Sequence, residues 1–462
     1  MSVMMSEQTS LEVAGKRVAV IGLGRSGQAA VRLLQRLGAC VTVADQKPSS
    51  DLTAALGGLP AGAVEIHGAG DYESALRGAE VVVVSPGVPL ALDPLRRAHA
   101  SGARIIGELE LASRHITGRI LAVTGTNGKS TTATWIGELL RSAGYDPFVG
   151  GNLGTPLAEA ALASLDGKAW DLVVAEVSSF QLETIETFRP WIGAILNITP
   201  DHLDRYPSME AYAAAKLRLL ENQDDADYAV LKTDDPWLSR ASVRSRGARI
   251  EFSRTRAVER GVHLDGDVIV SNLYGRRVEV CRVGGLQVRG AHNIENAMAA
   301  VAVASLAGCP MDAIDSGLRA FRGLEHVMEV VRVLRGVAYI NDSKGTNVDA
   351  TIKALESVPA PVILIAGGRE KGGEYPGLAE AVRRKAKRVI LLGEARARLR
   401  KVLAGACPLT EAATLAEAVR DAAAVAIAGD TVLLSPACAS FDMFVDYKDR
   451  GRRFKEYVHG LG

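Results

Sequence analysis

Short apolar segments alternate with segments of helical periodicity along most of the chain. The apolar segments are rich in Val and Ile, as in Arg17–Leu23, Cys40–Ala44 and Val81–Val84, and a helical pattern at Gly27–Leu37 separates the first two. Strands that are buried on both faces of a parallel sheet are continuous apolar runs, because helices cover them on either side. The pattern therefore predicts an α/β fold built on parallel sheets.

The alternation of strands and helices predicts three α/β domains. We place the boundaries between them after residues 107 and 322. We expect 1–107 to be Rossmann-like, 108–322 to be P-loop ATPase-like with a mostly parallel sheet, and 323–462 to be Rossmann-like again. Residues 251–290 show short alternating runs instead, which predict an antiparallel appendage. Further predicted strands are Leu172–Val177, Ile192–Ile198, Val337–Asn341, Val362–Ala366, Val389–Gly393 and Val432–Ser435, and further helices are Ala211–Glu221, Ile294–Leu306, Met311–Phe321, Ala395–Leu403 and Leu415–Ala428.

The composition excludes several classes of protein. The 462 residues carry 54 basic and 53 acidic side chains, and this balance gives no reason to expect a nucleic-acid or membrane partner. No apolar run approaches the roughly 18 residues that cross a bilayer. The first ten residues lack a signal-peptide core, so we expect a cytoplasmic protein. The five scattered cysteines show no metal-ligand spacing, and we expect them to be reduced thiols.

The most specific motif is LAVTGTNGKST at residues 121–131, where an apolar strand meets a glycine turn and the helical run Ala133–Ala143. Glycines in such a turn let backbone N–H groups converge on a polyphosphate, and the following helix offers its positive end. A lysine there neutralises β- and γ-phosphate oxygens, and the adjacent hydroxyl binds Mg²⁺. The spacing G-x-x-G-K-S is two residues shorter than the common phosphate loop. The residues predicted to bind ATP are Gly125, Thr126, Asn127, Gly128, Lys129, Ser130 and Thr131.

A second glycine motif follows the first strand. Gly22, Gly24 and Gly27 open a helix, and Asp45 ends the next strand. This spacing matches the dinucleotide fingerprint and by itself favours NAD, which would make the protein an NAD-dependent dehydrogenase. The same geometry binds any diphosphate, including that of a UDP-sugar, and the glycines could equally serve only tight strand–helix packing. The dehydrogenase alternative leaves the phosphate loop unexplained.

Three further residues suggest a metal site. Glu176 ends an apolar strand close to the phosphate loop, where a carboxylate can bind Mg²⁺. His202 follows another strand end on the same edge of the sheet, and we favour a ligand role for it. Lys216 lies in an Ala-rich helix, and helical propensity alone predicts an exposed lysine.

Over nearly its whole length the chain resembles the ATP-dependent Mur ligases of bacterial cell-wall synthesis. The strings at 176–182, EVSSFQL, and 435–440, SPACAS, are typical of the members that add D-glutamate. The Asn-Pro-Arg motif of members that add diaminopimelate or lysine is not found. The matching segments are Gly22–Gly27, Ser85–Gly87, Gly125–Thr131, Gly151–Gly154, Glu176–Glu183, Asp201–Arg205, Ala215–Arg218, His292–Asn296, Asn341–Lys344, Gly367–Lys371 and Ser435–Asp442.

The resemblance implies an ATP-dependent acid–D-amino-acid ligase. It would add D-glutamate to UDP-N-acetylmuramoyl-L-alanine through an acyl phosphate, in peptidoglycan precursor synthesis. The three domains would bind the UDP substrate, ATP and the amino acid, in chain order. The expected cofactors are ATP and two Mg²⁺ ions, and the expected state is a monomer. Another Mur or folylpolyglutamate-type amide ligase is the nearer alternative.

The resemblance also implies a role for individual residues. The catalytic set would be Lys129, Glu176, His202 and Lys216, and the metal ligands would be Ser130, Glu176, His202 and a carbamylated Lys216. Further ATP contacts would be Asn293, Asn296, Asp342 and Lys344. Contacts to the UDP substrate would be Arg25, Ser26, Asp45, Gly87 and Asn152. Contacts to D-glutamate would be Thr346, Lys371, Ser440 and Phe441.

The sequence departs from the family pattern at one position. The family usually has an arginine after the histidine that matches His326, and this chain has Val327. Either Arg322 or Arg332 replaces the missing guanidinium, or the affinity for nucleotide is lower.

Overall fold

The computed structural model describes residues 11–57, 64–152, 154–239, 245–288, 290–370, 375 and 377–462. Within these residues, three sheets of five, nine and six strands follow one another along the chain. The sheets are mostly parallel, which confirms the predicted fold class, whereas the boundaries after residues 107 and 322 stay predictions. In the same described residues, no helix is both long and apolar enough to cross a membrane.

The first sheet is wholly parallel, in the order β3-β2-β1-β4-β5. Its strands are β1 (Arg17–Ile21), β2 (Cys40–Ala44), β3 (Val64–His67), β4 (Val81–Val84) and β5 (Arg104–Gly107). Its helices are α1 (Arg25–Arg36), α2 (Ser49–Ala55), α3 (Tyr72–Leu76) and α4 (Asp93–Ala100), and α5 (Glu108–Ser113) leads to the next sheet. The strand order reverses between β1 and β4, and such a switch point opens a crevice at the carboxyl ends of the strands.

The central sheet has the order β14-β13-β12-β11-β10-β9-β6-β8-β7. Its strands are β6 (Arg119–Thr124), β7 (Phe148–Gly151), β8 (Leu172–Glu176), β9 (Ile192–Ile195), β10 (Tyr228–Lys232), β11 (Ala248–Ser253), β12 (Gly261–Asp265), β13 (Val268–Ser271) and β14 (Val278–Arg282). Its helices are α6 (Lys129–Ser142), α7 (Leu157–Leu165), α8 (Ser179–Leu182), α9 (Met209–Leu217), α10 (Ala291–Leu306) and α11 (Met311–Ala320). Short 3₁₀ turns lie at Arg218–Leu220 and Val283–Gly285.

The predicted antiparallel appendage at 251–290 is correct for its second part and wrong for its first. Strands β12, β13 and β14 pair antiparallel with one another, whereas β11 pairs parallel with both β10 and β12 and so extends the parallel sheet. Ile250, Phe252 and Val262 are buried in the same core as the apolar face of α10. That shared core holds these strands in the central sheet.

The third sheet has the order β15-β16-β20-β17-β18-β19, and only its edge strand β15 is antiparallel to its neighbour. Its strands are β15 (Glu329–Leu334), β16 (Val337–Asn341), β17 (Val362–Gly367), β18 (Ala386–Leu392), β19 (Leu409–Glu411) and β20 (Thr431–Leu434). Its helices are α12 (Val348–Ser357), α13 (Leu378–Lys385), α14 (Arg396–Val402), α15 (Leu415–Val425) and α16 (Tyr447–His459).

Parallel pairing brings the loops that carry the candidate functional residues to one edge of the central sheet. Strands β8, β6 and β9 are neighbours, so the segments that follow their carboxyl ends meet at one edge of the central sheet. The segment after β16 faces this edge, because Lys344 contacts Ser130 there. The candidate site therefore lies between the central and third sheets.

Candidate active site

The phosphate loop connects β6 to α6 by a tight turn. Gly128 has a φ of 85° and precedes the first helical residue, Lys129. A Cβ atom at Gly128 would lie 2.3 Å from Oδ1 of Asn296, so both its backbone angle and its close packing require glycine. The loop is held in place by Asn197, whose Oδ1 accepts from the Asn127 amide at 2.9 Å. The turn presents the amino end of a long helix to the cavity, as a polyphosphate site requires.

Lys129 turns back into this loop. Its Nζ donates hydrogen bonds to the carbonyl oxygens of Gly125 and Thr126, each at 2.9 Å. The ammonium therefore lies inside the loop, where the phosphate oxygens of a bound nucleotide would meet it.

Glu176 ends β8 and is 2% exposed. Its Oε2 accepts a hydrogen bond from Oγ of Ser130 at 2.5 Å, and its Oε1 accepts one from Nδ2 of Asn152 at 2.7 Å. His202 lines the same cavity. A carboxylate, a hydroxyl and an imidazole that converge on a phosphate loop are a donor set that fits Mg²⁺.

His202 has a left-handed backbone, with a φ of 55°. Such a conformation is uncommon for a residue other than glycine and costs about 1–3 kcal/mol, so it persists only where surrounding contacts enforce it. Asp201 accepts from the His202 amide at 3.0 Å, and the Phe180 ring packs edge-on against the imidazole with centroids 4.7 Å apart. These contacts hold the ring at the cavity wall.

Lys216 is not the exposed lysine that helical propensity predicts. It is 2% exposed, and its Nζ donates to the carbonyl oxygen of Gly125 at 2.9 Å and lies 4.7 Å above the Tyr212 ring. The prediction failed because α9 packs beneath the phosphate loop, which supplies the carbonyl partner. Burial, and then the charge of Lys129, hold the pKa of Lys216 well below its usual value. The side chain therefore lies beside the phosphate loop, in surroundings that shift its titration toward the neutral amine.

Two residues of the third domain complete the phosphate end of the cavity. Lys344 donates a hydrogen bond to Oγ of Ser130, and burial lowers its pKa to about 8 although the charge of Glu176 opposes the shift. Asp342 accepts from Oγ of Ser435 at 2.7 Å, and burial raises its pKa to about 7. Both positions were predicted as ATP contacts, and both line this cavity.

Sequence reasoning missed a set of polar contacts between α12 and the phosphate loop. Oδ2 of Asp349 accepts from Nδ2 of Asn127 at 2.6 Å and from Oγ1 of Thr199 at 3.1 Å. Asn347 donates to Oδ1 of Asn127 at 3.2 Å and to Oδ2 of Asp201 at 3.1 Å. These contacts close the third domain onto the central one. The only signal in the sequence was that both Asn347 and Asp349 follow the predicted ATP contact Lys344.

The cavity at the phosphate loop extends along α10. Asn296 lines it, and Nδ2 of Asn296 donates to Oδ1 of the neighbouring Asn293 at 3.2 Å. His292 and Glu295 line the cavity as well, and sequence analysis gave neither of them a role although both lie in the His292–Asn296 segment.

At position 327, where the family usually has an arginine, the structure shows which side chains surround the valine. Val327 lines the cavity, and neither Arg322 nor Arg332 does. Arg332 instead donates through Nη1 to the main-chain oxygens of Val458, His459 and Leu461. The cationic side chains that line this cavity are Lys129, Lys344 and Lys353. No arginine therefore replaces the missing guanidinium in the described cavity wall.

A second cavity lies at the switch point between β1 and β4. All five residues predicted to contact the UDP substrate line it: Arg25, Ser26, Asp45, Gly87 and Asn152. Oδ2 of Asp45 accepts from the Leu23 amide at 2.6 Å, so this carboxylate also holds the glycine turn in shape. Asn152 lines both cavities, and the two sites therefore meet beside Glu176.

Arg205 joins the walls of these two cavities. Its Nη1 donates to the carbonyl oxygen of Pro86 at 2.8 Å, and its Nη2 donates to Glu183 at 2.7 Å. The guanidinium lies 4.2 Å above the ring of Phe180, which packs on His202. The loop of the first domain is thereby linked to His202, the candidate metal ligand.

Of the residues predicted to hold D-glutamate, only one lines a cavity described above. Thr346 lines the first cavity. Ser440 is buried, Phe441 is 60% exposed, and neither lines the two cavities described above. Lys371 lies outside the described residues.

Known protein families match the chain in three consecutive segments, one for each sheet. Three family models match the chain: "Mur ligase MurD-like, N-terminal domain" over residues 16–107, "Mur ligase middle domain" over 123–304, and "Mur ligase, glutamate ligase domain" over 328–438. The chain is 48% identical over 451 residues to the UDP-N-acetylmuramoylalanine–D-glutamate ligase of Pelotomaculum thermopropionicum, covering 96% of this chain and 98% of the relative. It is 42% identical over 455 residues to the ligase of that name from Syntrophotalea carbinolica, covering 97% and 99%.

Solved structures show the same fold. UDP-N-acetylmuramate–alanine ligase MurC from Thermotoga maritima aligns with a TM-score of 0.59 at 19% identity, covering 96% of this chain and 99% of that one. MurF ligase from Thermotoga maritima, solved in complex with ADP, aligns with a TM-score of 0.58 at 19% identity, covering 84% and 91%.

Proposed function

The chain belongs to the Mur ligase family, and on that premise we propose that it joins D-glutamate to UDP-N-acetylmuramoyl-L-alanine, converting ATP to ADP and phosphate. The observation that carries the proposal is the position of Asn152. This residue lines both cavities and donates to Glu176 beside the phosphate loop. A substrate whose UDP group occupies the first domain can therefore extend its free carboxylate to the γ-phosphate of ATP.

The reaction begins by activating that carboxylate, because a carboxylate is a poor electrophile for an amine. An oxygen of the L-alanine carboxylate attacks the γ-phosphorus, the bond to the β-phosphate oxygen breaks, and an acyl phosphate and ADP result. Lys129, Lys344 and the amino end of α6 stabilise the charge on the transferring group. Ser130, Glu176, His202 and a carbamate on Lys216 would hold two Mg²⁺ ions, which when bound supply further neutralisation of phosphoryl oxygens.

The second step forms the amide. The neutral amine of D-glutamate attacks the acyl carbon, a tetrahedral intermediate forms, and phosphate leaves with the former carboxylate oxygen. The amine loses a proton in this step, and Asp342 lies in the cavity wall with a pKa raised by burial to about 7. We assign D-glutamate binding to Thr346, Lys371, Ser440 and Phe441, with Lys371 pairing with a substrate carboxylate.

The three domains divide these tasks. We assign residues 1–107 to the UDP substrate, 108–322 to ATP and 323–462 to the amino acid. The protein would act as a monomer in the cytoplasm, with no nucleic-acid or membrane partner. The contacts from Asp349 and Asn347 to the phosphate loop support a closed arrangement during catalysis.

A substrate panel tests the proposal. Phosphate release is measured with ATP, UDP-N-acetylmuramoyl-L-alanine and one of D-glutamate, L-glutamate, meso-diaminopimelate or L-lysine. We expect release only with D-glutamate, and only when the UDP substrate is present. Release with diaminopimelate or lysine in place of D-glutamate would assign the chain to another branch of the family, and release without any amino acid would contradict ligation.

A further inference from the structure

Three lysines line the cavity at the phosphate loop, and two of them lie at its Ser130 end. Lys129 turns into the loop itself, and Lys344 donates a hydrogen bond to Oγ of Ser130. The third, Lys353, lies on α12 of the third domain. Lys129 and Lys344 are placed for the phosphate that is transferred, and Lys353 is the cation that this chemistry does not use.

The ammonium of Lys353 is held beside the phosphate loop. Its Nζ donates to Oδ2 of Asp349 at 2.7 Å, and the same oxygen accepts from Nδ2 of Asn127 at 2.6 Å. Two donors that share one oxygen are neighbours, because each lies within a hydrogen-bond length of it. The positive charge of α12 therefore borders Asn127, a residue of the loop.

The backbone of Lys353 lies toward the other end of the cavity. Its main-chain oxygen accepts from Oγ of Ser357 at 2.6 Å, and this hydroxyl oxygen lies 3.3 Å from Nδ1 of His292. His292 lines the cavity at the amino end of α10. Lys353 thus spans the stretch between the phosphate loop and His292. A nucleotide whose terminal phosphates occupy the loop has its α-phosphate in this stretch, because the α-phosphate is the next group along the molecule.

The ammonium keeps donors for a ligand. A lysine side chain has three N–H donors, and within the part of the chain that the structure describes Nζ of Lys353 donates only to Asp349. The carboxylate of Asp349 is shared with two neutral donors, Asn127 and Thr199. Lys353 can therefore hold Asp349 and still donate a charge-assisted hydrogen bond to a second anion in the cavity.

A bound triphosphate would meet an apolar side chain at position 327. Val327 lines the cavity where the family usually has an arginine. Burying phosphate charge beside an apolar group is costly unless a cation elsewhere pairs with it. Lys353 is a cation of the same cavity, and it is carried by a different segment of the third domain.

We propose that the ammonium of Lys353 binds the α-phosphate of a nucleoside triphosphate and supplies the positive charge that position 327 lacks in this chain. The inference rests on the proposed function only in that this cavity binds a nucleoside triphosphate. The α-phosphate keeps its charge while the γ-phosphoryl group is transferred, so the contact stabilises the bound nucleotide and the transition state equally. Such uniform binding lowers KM and leaves kcat unchanged. Lys353 thereby differs from Lys129, whose charge acts on the transferring group.

The full-length protein with Lys353→Met tests this inference, because methionine keeps an unbranched side chain and removes the charge. KM for ATP and kcat are measured with the other substrates saturating, and Kd for ADP is measured by calorimetry. We expect KM for ATP and Kd for ADP to rise about tenfold, as the loss of one charge-assisted hydrogen bond implies, while kcat stays within about twofold of the wild type. Lys353→Arg keeps the cation, and KM and Kd should stay within about threefold.

Two further variants sharpen the test. Lys401→Met makes the same chemical change at an exposed residue of α14, and it should leave KM for ATP, Kd for ADP and kcat unchanged. Lys353→Gln carries no charge but can still donate to Asp349, and it should raise KM and Kd as Lys353→Met does. If Lys353→Met does not fold, Lys353→Gln decides the matter.

Three results would overturn the role of Lys353. The first is an unchanged KM for ATP and an unchanged Kd for ADP in both uncharged variants. The second is a lower kcat with KM unchanged, which would mean that Lys353 acts through Asp349 on domain closure. The third is an effect on KM that disappears with 2′-deoxy-ATP or 3′-deoxy-ATP, which would mean that Lys353 contacts the ribose.

The binding measurement separates this inference from the proposed function. Kd for ADP decides the role of Lys353 even if the wild type catalyses no ligation of D-glutamate. A wild type that forms the amide while Lys353→Met and Lys353→Gln bind ADP normally would uphold the proposed function and reject this inference. Failure of the wild type to bind ADP would contradict the premise that both share.

Discussion

Nδ2 of Asn127 in the phosphate loop donates a hydrogen bond of 2.6 Å to Oδ2 of Asp349, which lies 222 residues later in the chain. The same carboxylate accepts from Thr199 and Lys353. One side chain of the third domain thus fixes the phosphate loop and the segment that precedes His202. Closure of the third domain and the shape of the phosphate site are therefore coupled through Asp349.

Asp349→Ala should lower kcat about tenfold, because three donors lose their acceptor and the closed arrangement loses about 1–2 kcal/mol. Steady-state kinetics measure the effect, and small-angle scattering of the free protein should show a larger radius of gyration. Glu356→Ala on the same helix is the matched control, since Glu356 is exposed and pairs only weakly with Arg384. A kcat for Asp349→Ala within twofold of the wild type would rule out this coupling.

Lys129→Ala should lower kcat by about 10²–10³-fold or more, since it removes a charge that stabilises the transferring phosphoryl group. Circular dichroism should show an intact fold. Lys385→Ala is a suitable comparison, because Lys385 also donates to a main-chain oxygen, that of Val358, but lies on α13 away from the cavity. Turnover of Lys129→Ala within tenfold of the wild type would remove Lys129 from the mechanism.

Lys216→Ala should abolish activity, and acetate or another short carboxylic acid should restore part of it by replacing the carbamate. The residue is buried beside the phosphate loop, and burial lowers its pKa and so promotes the neutral amine form that reacts with CO₂. Lys216→Arg should not be rescued, because it keeps a positive charge at a site meant for an anionic ligand. The measurement is phosphate release at increasing acetate concentration. Absence of any rescue in Lys216→Ala would speak against a carbamate.

Glu108 gives the protein a pH-dependent stability. Its Oε1 accepts from the Ala158 amide at 2.6 Å, its Oε2 is buried without a hydrogen bond among the described residues, and burial raises its pKa from 4.5 to about 7. Between these two values the native state binds more protons than the unfolded state, so the free energy of unfolding falls as pH rises.

Glu108→Gln removes this titration and keeps an acceptor for the Ala158 amide. Differential scanning calorimetry at pH 5, 6, 7 and 8 should show the variant gaining on the wild type as pH rises, by about 2–4 °C for each kcal/mol. A difference in melting temperature that is constant or shrinks over this range would contradict the assignment.

Continuous apolar runs made the parallel strands predictable. The sequence analysis predicted β2, β4 and β16 with the bounds that the structure has, because most residues of each strand are apolar and buried. It did not predict α16, in which charged residues predominate. Phe454 and Val458 are buried and Tyr457 packs against the same core, all in the second half of the helix. Apolar residues confined to one half of a helix carry little periodic signal.

Contacts between distant segments were not predictable. The burial of Lys216 depends on the carbonyl oxygen of Gly125, 91 residues away, and nothing within α9 itself indicates it. The glycine turn at Gly22–Gly27 likewise left NAD, a UDP-sugar and simple strand–helix packing as alternatives, because the backbone geometry for a diphosphate is the same for both ligands. The structure adds that the cavity at this turn meets the phosphate-loop cavity at Asn152, which depends on how two domains are packed.

The central claim is that this chain forms an amide between UDP-N-acetylmuramoyl-L-alanine and D-glutamate by way of an acyl phosphate. The most direct test uses the UDP substrate with oxygen-18 at both oxygens of its L-alanine carboxylate, together with ATP and D-glutamate, and mass spectrometry of the products. The account predicts one oxygen-18 atom in each released phosphate and the other in the new amide carbonyl. Unlabelled phosphate alongside an amide product, or no amide product at all, would contradict it.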